Sequence, residues 1–590
     1  MHTLRMILVL VLLGFTEIAQ AQDTNRPDVD ATILVQGQRD RPSNWRQAET
    51  EHVLVISDGD EKQLVRIAHN LERLHFLLSV LLNRVDQPDK TVKLRVTLVG
   101  NGAEFEAMSL RNLRSANGPY VAAFPFQRYY DPREDGPILA VSRIDSRAVL
   151  ERGVQAASLL PGLMKQLGAD PAETPGSTIW LAGSAAAFPE NDPLAIDING
   201  KTITIPAEGR IYAGFAQNWL LTWFPNAYPR WYVDGFGELF ATIATDGDGK
   251  IEYGRPPEGY KRVIDQFMRL PIADILSGEY LDDKRTRDRW TPYHAWALTH
   301  MLFFSSTRKG QLHAYLARIA AGESMARAMT AFGDLGALQR DLMAYDDHKL
   351  PYEQMTYPAD RAGEPILRRL TQGEAAFVKG RLELGARTDL PPPHGTPEQE
   401  RARAQAIAER DRWLKDVRAD AARYPANLQA QLLLAEAECR SDNGAQCVSA
   451  ADRALAIAPG NSDALAWKGS GQVQLALAGP TGQRAALLKG ARRTIAQANR
   501  ADSENPLPLL AFYRSFAKAG EMPSDVAIEG LMKAVDSVPA APGPRLMLGE
   551  ALARRGNVEA ARRALIPVAN GAYASPEGQQ ARMLLATLGN

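Results

Sequence analysis

The sequence predicts an α+β domain followed by an all-α solenoid of helical repeats. Apolar and polar residues alternate over residues 92–98, which is the pattern of a half-buried strand, and apolar residues recur at helical spacing over residues 64–81. From about residue 398 the chain is rich in Ala, Leu and Arg, and its amphipathic segments repeat. Residues 351–397, which include a run of three prolines, are predicted to be a linker between the two parts.

The first 21 residues have the features of a cleavable signal peptide. Arg5 precedes an apolar run over residues 6–15, and Ala19-Gln20-Ala21 matches an A-x-A cleavage site. The run is about ten residues long, too short for a stable helix across a bilayer, and no later segment offers about 20 uncharged apolar residues. We therefore predict a periplasmic or secreted chain that starts after Ala21, with a polar lead-in over residues 22–50 and no transmembrane segment.

Composition and motifs exclude several classes of function. The formal net charge is −1 and no basic block is present, so nucleic-acid binding has no electrostatic basis. No P-loop or G-x-G-x-x-G motif follows a predicted strand, and Gly183-Ser184-Ala185 does not match the G-x-S-x-G nucleophile elbow. The sequence therefore predicts no nucleic-acid partner and no cofactor, and it sets no oligomeric state.

The chain contains two cysteines, Cys439 and Cys447, on either side of a predicted helix–helix turn. In an oxidising compartment they could form a disulfide that staples a helical hairpin. Two small buried thiols are the alternative. A zinc site built from these two residues alone would lack its remaining ligands.

Residues 145–209 are predicted to be an insertion in the first domain. It would hold a helix over about residues 147–167 and a hairpin whose strands, 194–198 and 201–205, flank Asn199-Gly200. Asn-Gly favours such a hairpin because it supplies the positive φ angles of a type I′ turn.

Residues 210–240 predict two helices separated by a proline-containing turn at residues 225–229. The second helix contains Pro229-Arg230-Trp231, then Asp234-Gly235 and Glu238. This segment resembles the P-x-W-x-x-E-G-x-A-E-x-F segment of gluzincin-type zinc metallopeptidases, which supplies the third zinc ligand. Residues 293–345 resemble the C-terminal helical part of the same domains. The resemblance implies a gluzincin-like α+β domain over residues 51–350.

The metal motif of that family is absent from this chain. In gluzincins the preceding helix carries H-E-x-x-H, in which the two histidines bind zinc and the glutamate activates water. Ala213, Gly214 and Gln217 stand at the positions of the first His, the Glu and the second His, and Asp234 stands at the third ligand. These four residues are therefore predicted to be relics of a zinc site that binds no metal.

A shifted alignment does not restore the motif, because no histidine occurs between His75 and His294. The resemblance therefore implies a pseudopeptidase, which is not an enzyme.

The C-terminal part shows internal repetition. Pro425 and Pro459 are 34 positions apart, and so are Pro542 and Pro576, with two amphipathic helices between the members of each pair. This pattern resembles tetratricopeptide repeats over residues 398–590. One hairpin cannot bury its apolar face alone, so about four of them would stack into a curved solenoid. Such a stack offers a concave groove to a peptide or protein partner; alternatively, it packs on the first domain and has no partner of its own.

Together these features predict an exported, non-catalytic pseudopeptidase that acts as a protein-binding or peptide-binding scaffold in the bacterial cell envelope. One alternative is an active hydrolase, such as a peptidase, with an unrecognised or divergent site. Another is a structural role in envelope assembly without a peptide-binding cleft.

Overall fold

A six-stranded mixed sheet forms the centre of the first part of the chain. The computed structural model describes residues 40–85, 90–100, 102–108, 110, 128–143, 148–151, 185–187, 202–206, 208–245, 249–258, 260–261, 271–279, 292–306, 308–346, 348–361, 363–391, 395–573 and 575–589. The predicted signal peptide, most of the lead-in and the Asn199-Gly200 turn lie outside these residues. Asp40–Asn590 form one unit. No helix of the described part is both long enough and apolar enough to cross a membrane.

The strands, in chain order, are β1 (Pro42–Glu49), β2 (Val53–Ser57), β3 (Leu94–Val99), β4 (Tyr129–Arg133), β5 (Gly136–Ser142), β6 (Ala148–Glu151), β7 (Ala185–Ala187), β8 (Thr202–Ile205), β9 (Ala244–Thr245), β10 (Lys250–Tyr253), β11 (Glu353–Thr356) and β12 (Ile366–Thr371). The main sheet has the order β12-β1-β2-β3-β5-β4. Its central pairs, β2 with β3 and β3 with β5, are parallel, and its outer pairs are antiparallel.

The helices of the first part are α1 (Glu61–Leu81), α2 (Gly102–Ala107), α3 (Gly209–Trp223), α4 (Arg230–Leu239), α5 (Ile272–Ser277), α6 (Pro292–Phe304), α7 (Lys309–Ala320), α8 (Met325–Ala328), α9 (Leu335–Asp346) and α10 (Gln372–Thr388), with 3-10 turns at Met329–Phe332 and Ala359–Arg361. Helix α1 connects the parallel strands β2 and β3. Asp60 caps its first turn by accepting a hydrogen bond from the Gln63 amide. One face of the main sheet packs with α1, α3, α4 and α6 in a single apolar core.

Two sequence predictions, the polar lead-in over residues 22–50 and the linker over residues 351–397, are wrong for the segments that form strands of the main sheet. Residues 42–49 form β1, which pairs with β2 on one side and with β12 on the other. Strand β12 and helix α10 both lie in the segment predicted to be a linker. Val378 and Leu382 of α10 cover the second face of the sheet, where they pack with Ile56 and Ile138. Four of the six residues of β12 are exposed, because an edge strand buries few of its residues, and the segment lacks the apolar–polar alternation that would predict a strand.

The secondary structure of the predicted insertion, residues 145–209, also differs from the prediction in the residues that the structure describes. Residues 148–151, which were expected to begin a helix, form β6 instead. Strand β8 is present at the predicted place, but it pairs antiparallel with β6, as does β7. The other predicted arm of the hairpin, residues 194–198, lies outside the described residues.

The C-terminal part is a helical repeat region, as predicted. Its helices are α11 (Pro397–Arg423), α12 (Leu428–Arg440), α13 (Gly444–Ile457), α14 (Ser462–Ala478), α15 (Thr481–Ala501), α16 (Pro506–Ala517), α17 (Asp525–Ser537), α18 (Pro542–Arg554), α19 (Val558–Ala569) and α20 (Pro576–Leu588). Asn427, Asn461 and Asn505 cap α12, α14 and α16 by accepting backbone N–H groups. Successive hairpins stack, and α10 packs on α12, so the array starts before residue 398.

The turn between β4 and β5 joins the sheet to the repeats. We call residues 133–136 the docking turn. Arg133 donates to Glu436 of α12 at 2.9 Å and to the main-chain oxygen of Arg381 at 2.9 Å. Glu134 forms an ion pair with Arg514 of α16. The tip of the first domain is thus held by α10 and by two helices of the repeats.

Glu436 is the centre of this interface. Its side chain is 2 % exposed, and it accepts from Arg133, Arg381 and Arg440, each at 2.9 Å. Burial acts to raise the pKa of the Glu436 carboxyl, but the three guanidinium groups outweigh burial and hold the pKa at about 2. The carboxylate therefore stays ionised inside the protein, where it balances arginines from three segments of the chain.

We predict that Glu436→Gln lowers the free energy of unfolding by about 1–3 kcal/mol, because the arginines of the cluster lose one of two buried carboxylates and keep the other, Asp135, which pairs with Arg133 and Arg381. The same substitution at Glu559, whose pair with Arg563 is exposed, should change it by less than about 1 kcal/mol. Urea titrations of the two variants and the parent measure the difference. Similar losses in both variants would contradict the assigned role of Glu436.

The stabilisation by Glu436 should also depend on pH. Because its pKa is lower in the folded protein than the ordinary value of 4.5, its contribution is complete above that value and is lost as the pH falls from 4.5 towards about 2. The Glu436→Gln variant should lose less stability than the parent over this interval, and parallel acid titrations of both would show it.

Candidate functional site

The four positions that the sequence predicts to be relics of a zinc site, which we call the relic positions, lie on α3 and α4, and these two helices pack against each other. Ala213 is fully buried and has no polar side-chain atom. Gly214 faces the main sheet, where a Cβ atom would lie 2.7 Å from Leu139 Cδ1 and 3.3 Å from Arg128 Cδ. Close contact between helix and sheet thus leaves little room for a side chain at residue 214. Gln217 and Asp234 are brought together.

A chain of polar contacts joins Gln217 and Asp234 to Arg230. Gln217 Nε2 donates to Asp234 Oδ1 at 3.2 Å and to the Val233 carbonyl at 3.3 Å. Arg230 Nε donates to Asp234 Oδ2 at 2.7 Å, and all three side chains are buried. Both carboxylate oxygens of Asp234 therefore have protein partners, and its charge is balanced by a guanidinium one helical turn away.

Two further arginines surround this group. Arg128 donates to Glu238 Oε1 at 3.1 Å, and burial raises the pKa of the Glu238 carboxyl while Arg128 opposes the rise. Arg210 donates to the Ser142 carbonyl at 2.9 Å. Burial, with a smaller contribution from Arg128, lowers the pKa of Arg210 to about 9. Sequence reasoning missed this role of Arg128, because a residue far from α4 in the chain gives no local signal of the pair.

The repeats supply one side chain to the same place. Tyr573, in the loop between α19 and α20, places its ring 4.5 Å from the Arg230 guanidinium carbon, within range of a cation–π contact. Burial raises the pKa of Tyr573. Within the described part of the chain, neither the Tyr573 hydroxyl nor the side-chain oxygen of Gln217 has a hydrogen-bond partner. The last repeat thus covers the relic positions.

These residues do not fit a zinc ion. A catalytic zinc site uses three good protein ligands, and Ala213 and Gly214 provide no donor atom. Gln217 uses its amide nitrogen on Asp234, and Asp234 is paired with Arg230, whose positive charge would repel a cation. In the described residues, no group of three or more His, Cys, Asp or Glu side chains is arranged to hold a metal.

A second candidate site lies on the inner side of the repeats. We call it the inner groove: a cavity of about 250 Å³ between α12, α14 and α16, which Glu134 of the docking turn also borders. Trp467, Val473 and Leu507 give it apolar surface, and Arg440, Arg514 and Lys518 give it positive charge. The sequence predicted a concave groove in general terms, but it gave no sign that the first domain reaches into it.

The two cysteines lie beside this groove. Cys439 at the end of α12 and Cys447 in α13 form a disulfide, with sulfurs 2.01 Å apart and Cα atoms 5.1 Å apart. Cys439 lines the groove, and the bridge ties together the two helices of one hairpin.

Comparisons with known proteins give little further information. No family model matches the chain, and no curated protein does. A matching solved structure is a thermophilic TPR protein from Thermus thermophilus, with 18 % sequence identity and a TM-score of 0.27. The match covers 31 % of this chain and 93 % of that chain.

Glycines of α4 allow the close packing around the relic positions. A Cβ atom at Gly237 would lie 2.8 Å from the Ala213 carbonyl oxygen, whereas one at Gly490, in α15, would have no neighbour within 4 Å. We predict that Gly237→Ala destabilises the protein by about 1–3 kcal/mol through overpacking. Gly490→Ala should stabilise it by up to about 1 kcal/mol through helix propensity. Denaturant midpoints of both variants test this, and changes of the same sign would contradict the assigned packing.

The Arg230–Asp234 pair gives a second prediction for this site. Arg230→Met should cost about 3–5 kcal/mol of unfolding free energy, because it leaves the Asp234 carboxylate buried with only an amide partner. Combining Arg230→Met with Asp234→Leu should recover most of that loss, since no charge then remains. A double-mutant cycle measured by urea titration gives the coupling energy. Additive losses would show that the two charges do not depend on each other.

Proposed function

We propose that this protein is an exported, non-catalytic pseudopeptidase whose helical repeats bind peptide segments of partner proteins in the bacterial cell envelope. The inner groove carries the binding part of the proposal. It combines a half-buried aromatic side chain with cationic groups, and aromatic and arginine residues supply much of the binding energy at protein interfaces. Its volume of about 250 Å³ suits a few side chains of an extended peptide.

The wall of the groove is rigid enough to bind with little loss of conformational entropy. The disulfide between Cys439 and Cys447 fixes the α12–α13 hairpin, and Gln474 of α14 donates to the Cys439 carbonyl at 2.8 Å. A surface that is already ordered loses less freedom when a ligand binds. The disulfide is also consistent with an oxidising compartment, which agrees with the signal-peptide features of residues 1–21.

The non-catalytic part of the proposal is supported by the chemistry of the relic positions. In the gluzincin resemblance, Gln217 and Asp234 stand where two zinc ligands would stand, and here they bond to each other. Arg230 supplies the positive charge that a metal would otherwise supply to Asp234. An internal ion pair in place of the metal explains how a peptidase-like scaffold could remain folded without zinc.

Metal analysis and a peptidase assay test the loss of catalysis. We expect the purified full chain, after incubation with Zn²⁺ and dialysis, to hold less than stoichiometric zinc and to show no chelator-sensitive cleavage of a broad peptide mixture. Stoichiometric zinc that is lost together with activity on chelation would contradict the proposal and favour an active hydrolase. Incubation at neutral pH avoids protonating the carboxylates on which such binding would depend.

Peptide binding requires a separate test on the full chain. A phage-displayed random peptide library is selected on the protein, and recovered peptides are measured by fluorescence anisotropy. Trp467→Ala should weaken binding about tenfold or more, as expected for an aromatic anchor. Lys489→Ala, an exposed residue outside the groove lining, should leave it unchanged. Equal effects of the two substitutions, or no recovered peptides, would contradict binding in the inner groove.

A further inference from the structure

The inner groove already holds an acidic side chain from the same molecule. Glu134, at the tip of the docking turn, pairs with Arg514 on α16. The Glu134 side chain is 15 % exposed and that of Arg514 is 33 % exposed, so the pair lies at the rim, partly reached by solvent. The first domain thus places one carboxylate at the edge of a cavity that is otherwise open.

The cationic groups around Glu134 outnumber it. Lys518 borders the same cavity from the end of α16 and has no ion pair within the residues that the structure describes. Arg440 also borders the cavity, while its guanidinium Nε is bonded to Glu436. Asp442 also lines this cavity, so the lining carries three cationic side chains and two carboxylates, and its excess positive charge would attract a ligand carboxylate.

Gln474 and Trp467 of α14 form one wall of the groove. Gln474 uses its side-chain nitrogen on the Cys439 carbonyl, at 2.8 Å. Its side-chain oxygen is buried and, in the described part of the chain, has no hydrogen-bond partner. This oxygen would lie 3.1 Å from a Cβ atom at Gly444, so it faces α13 and helps to pack α14 against that helix. Trp467, on the same helix, supplies the apolar contact beside it.

We infer that the inner groove binds an acidic peptide segment, whose carboxylate displaces Glu134 from Arg514, so that the docking turn acts as an internal competitor. This inference rests on the proposed peptide-binding function and specifies its ligand class. Displacement requires the Glu134 side chain to leave Arg514. Arg133, which anchors the docking turn on the buried Glu436, keeps its contacts. An internal competitor lowers the apparent affinity, because the peptide carboxylate can bind only those molecules in which Glu134 does not already occupy Arg514.

The test uses the full chain and two fluorescein-labelled octapeptides, one of alternating Glu and Leu and one of alternating Gln and Leu. Anisotropy titrations give their affinities at low and high salt. We expect the Glu peptide to bind more tightly than the Gln peptide. Glu134→Gln should tighten binding of the Glu peptide about threefold to tenfold, since it frees Arg514 and removes a like charge. High salt should reduce this advantage.

Two further variants give the test its controls. Glu504→Gln removes one carboxylate from the exposed Glu504–Lys533 pair, giving the same change of net charge, and should leave the affinity unchanged. Arg514→Gln in the Glu134→Gln background should weaken binding of the Glu peptide about tenfold or more. Circular dichroism melts of each variant show whether it is folded.

Several outcomes would overturn the inference: equal binding of the Glu and Gln peptides, no effect of Glu134→Gln, an equal effect of Glu504→Gln, or no binding of the Glu peptide to the Glu134→Gln variant. These outcomes are distinct from failure of the proposed function. Library peptides that depend on Trp467 but are indifferent to Glu134 and Arg514 would leave peptide binding standing and refute the acidic ligand.

Discussion

The packing of the repeats on the sheet depends on the ion pairs between the buried carboxylate of Glu436 and its arginine partners. Glu436 lies on a repeat helix, yet its guanidinium partners come from the docking turn of the sheet, from α10 and from its own helix. A buried ion cluster contributes little net stability compared with an apolar contact of the same shape, but it tolerates few alternative geometries. The cluster therefore defines how the repeats are positioned on the sheet, and both the inner groove and the cover over the relic positions follow from that position.

The sequence predicted features with a short-range pattern. The alternation in β3 and the apolar stripe of α1 were sufficient to predict both elements, and the spacing of prolines together with the apolar helices indicated the repeats. These features are encoded within about one repeat length of sequence, so an analysis without tertiary information can recover them.

Features that depend on distant partners could not be predicted. Strand β12 gave no sequence signal of its pairing, because its partner β1 lies more than 300 residues earlier, where Ser43 Oγ donates to the Leu370 carbonyl across a sequence separation of 327. The pairs Arg128–Glu238 and Arg133–Glu436 have the same origin. For the candidate site, the sequence identified Gln217 and Asp234 as residues of interest. It did not reveal that they bond to each other or that Tyr573 covers them.

The pairing of β1 with β12 has a consequence for how the chain folds. Domains generally form in the order of synthesis, from the N-terminus onward. Here β1 needs a partner strand that lies hundreds of residues later in the chain, so one of its edges stays unpaired until that strand is available. Contacts of such long range slow folding, and an unpaired strand is open to mispairing with other chains. Chaperone protection of the nascent sheet would therefore matter more for this protein than for one whose sheet closes locally.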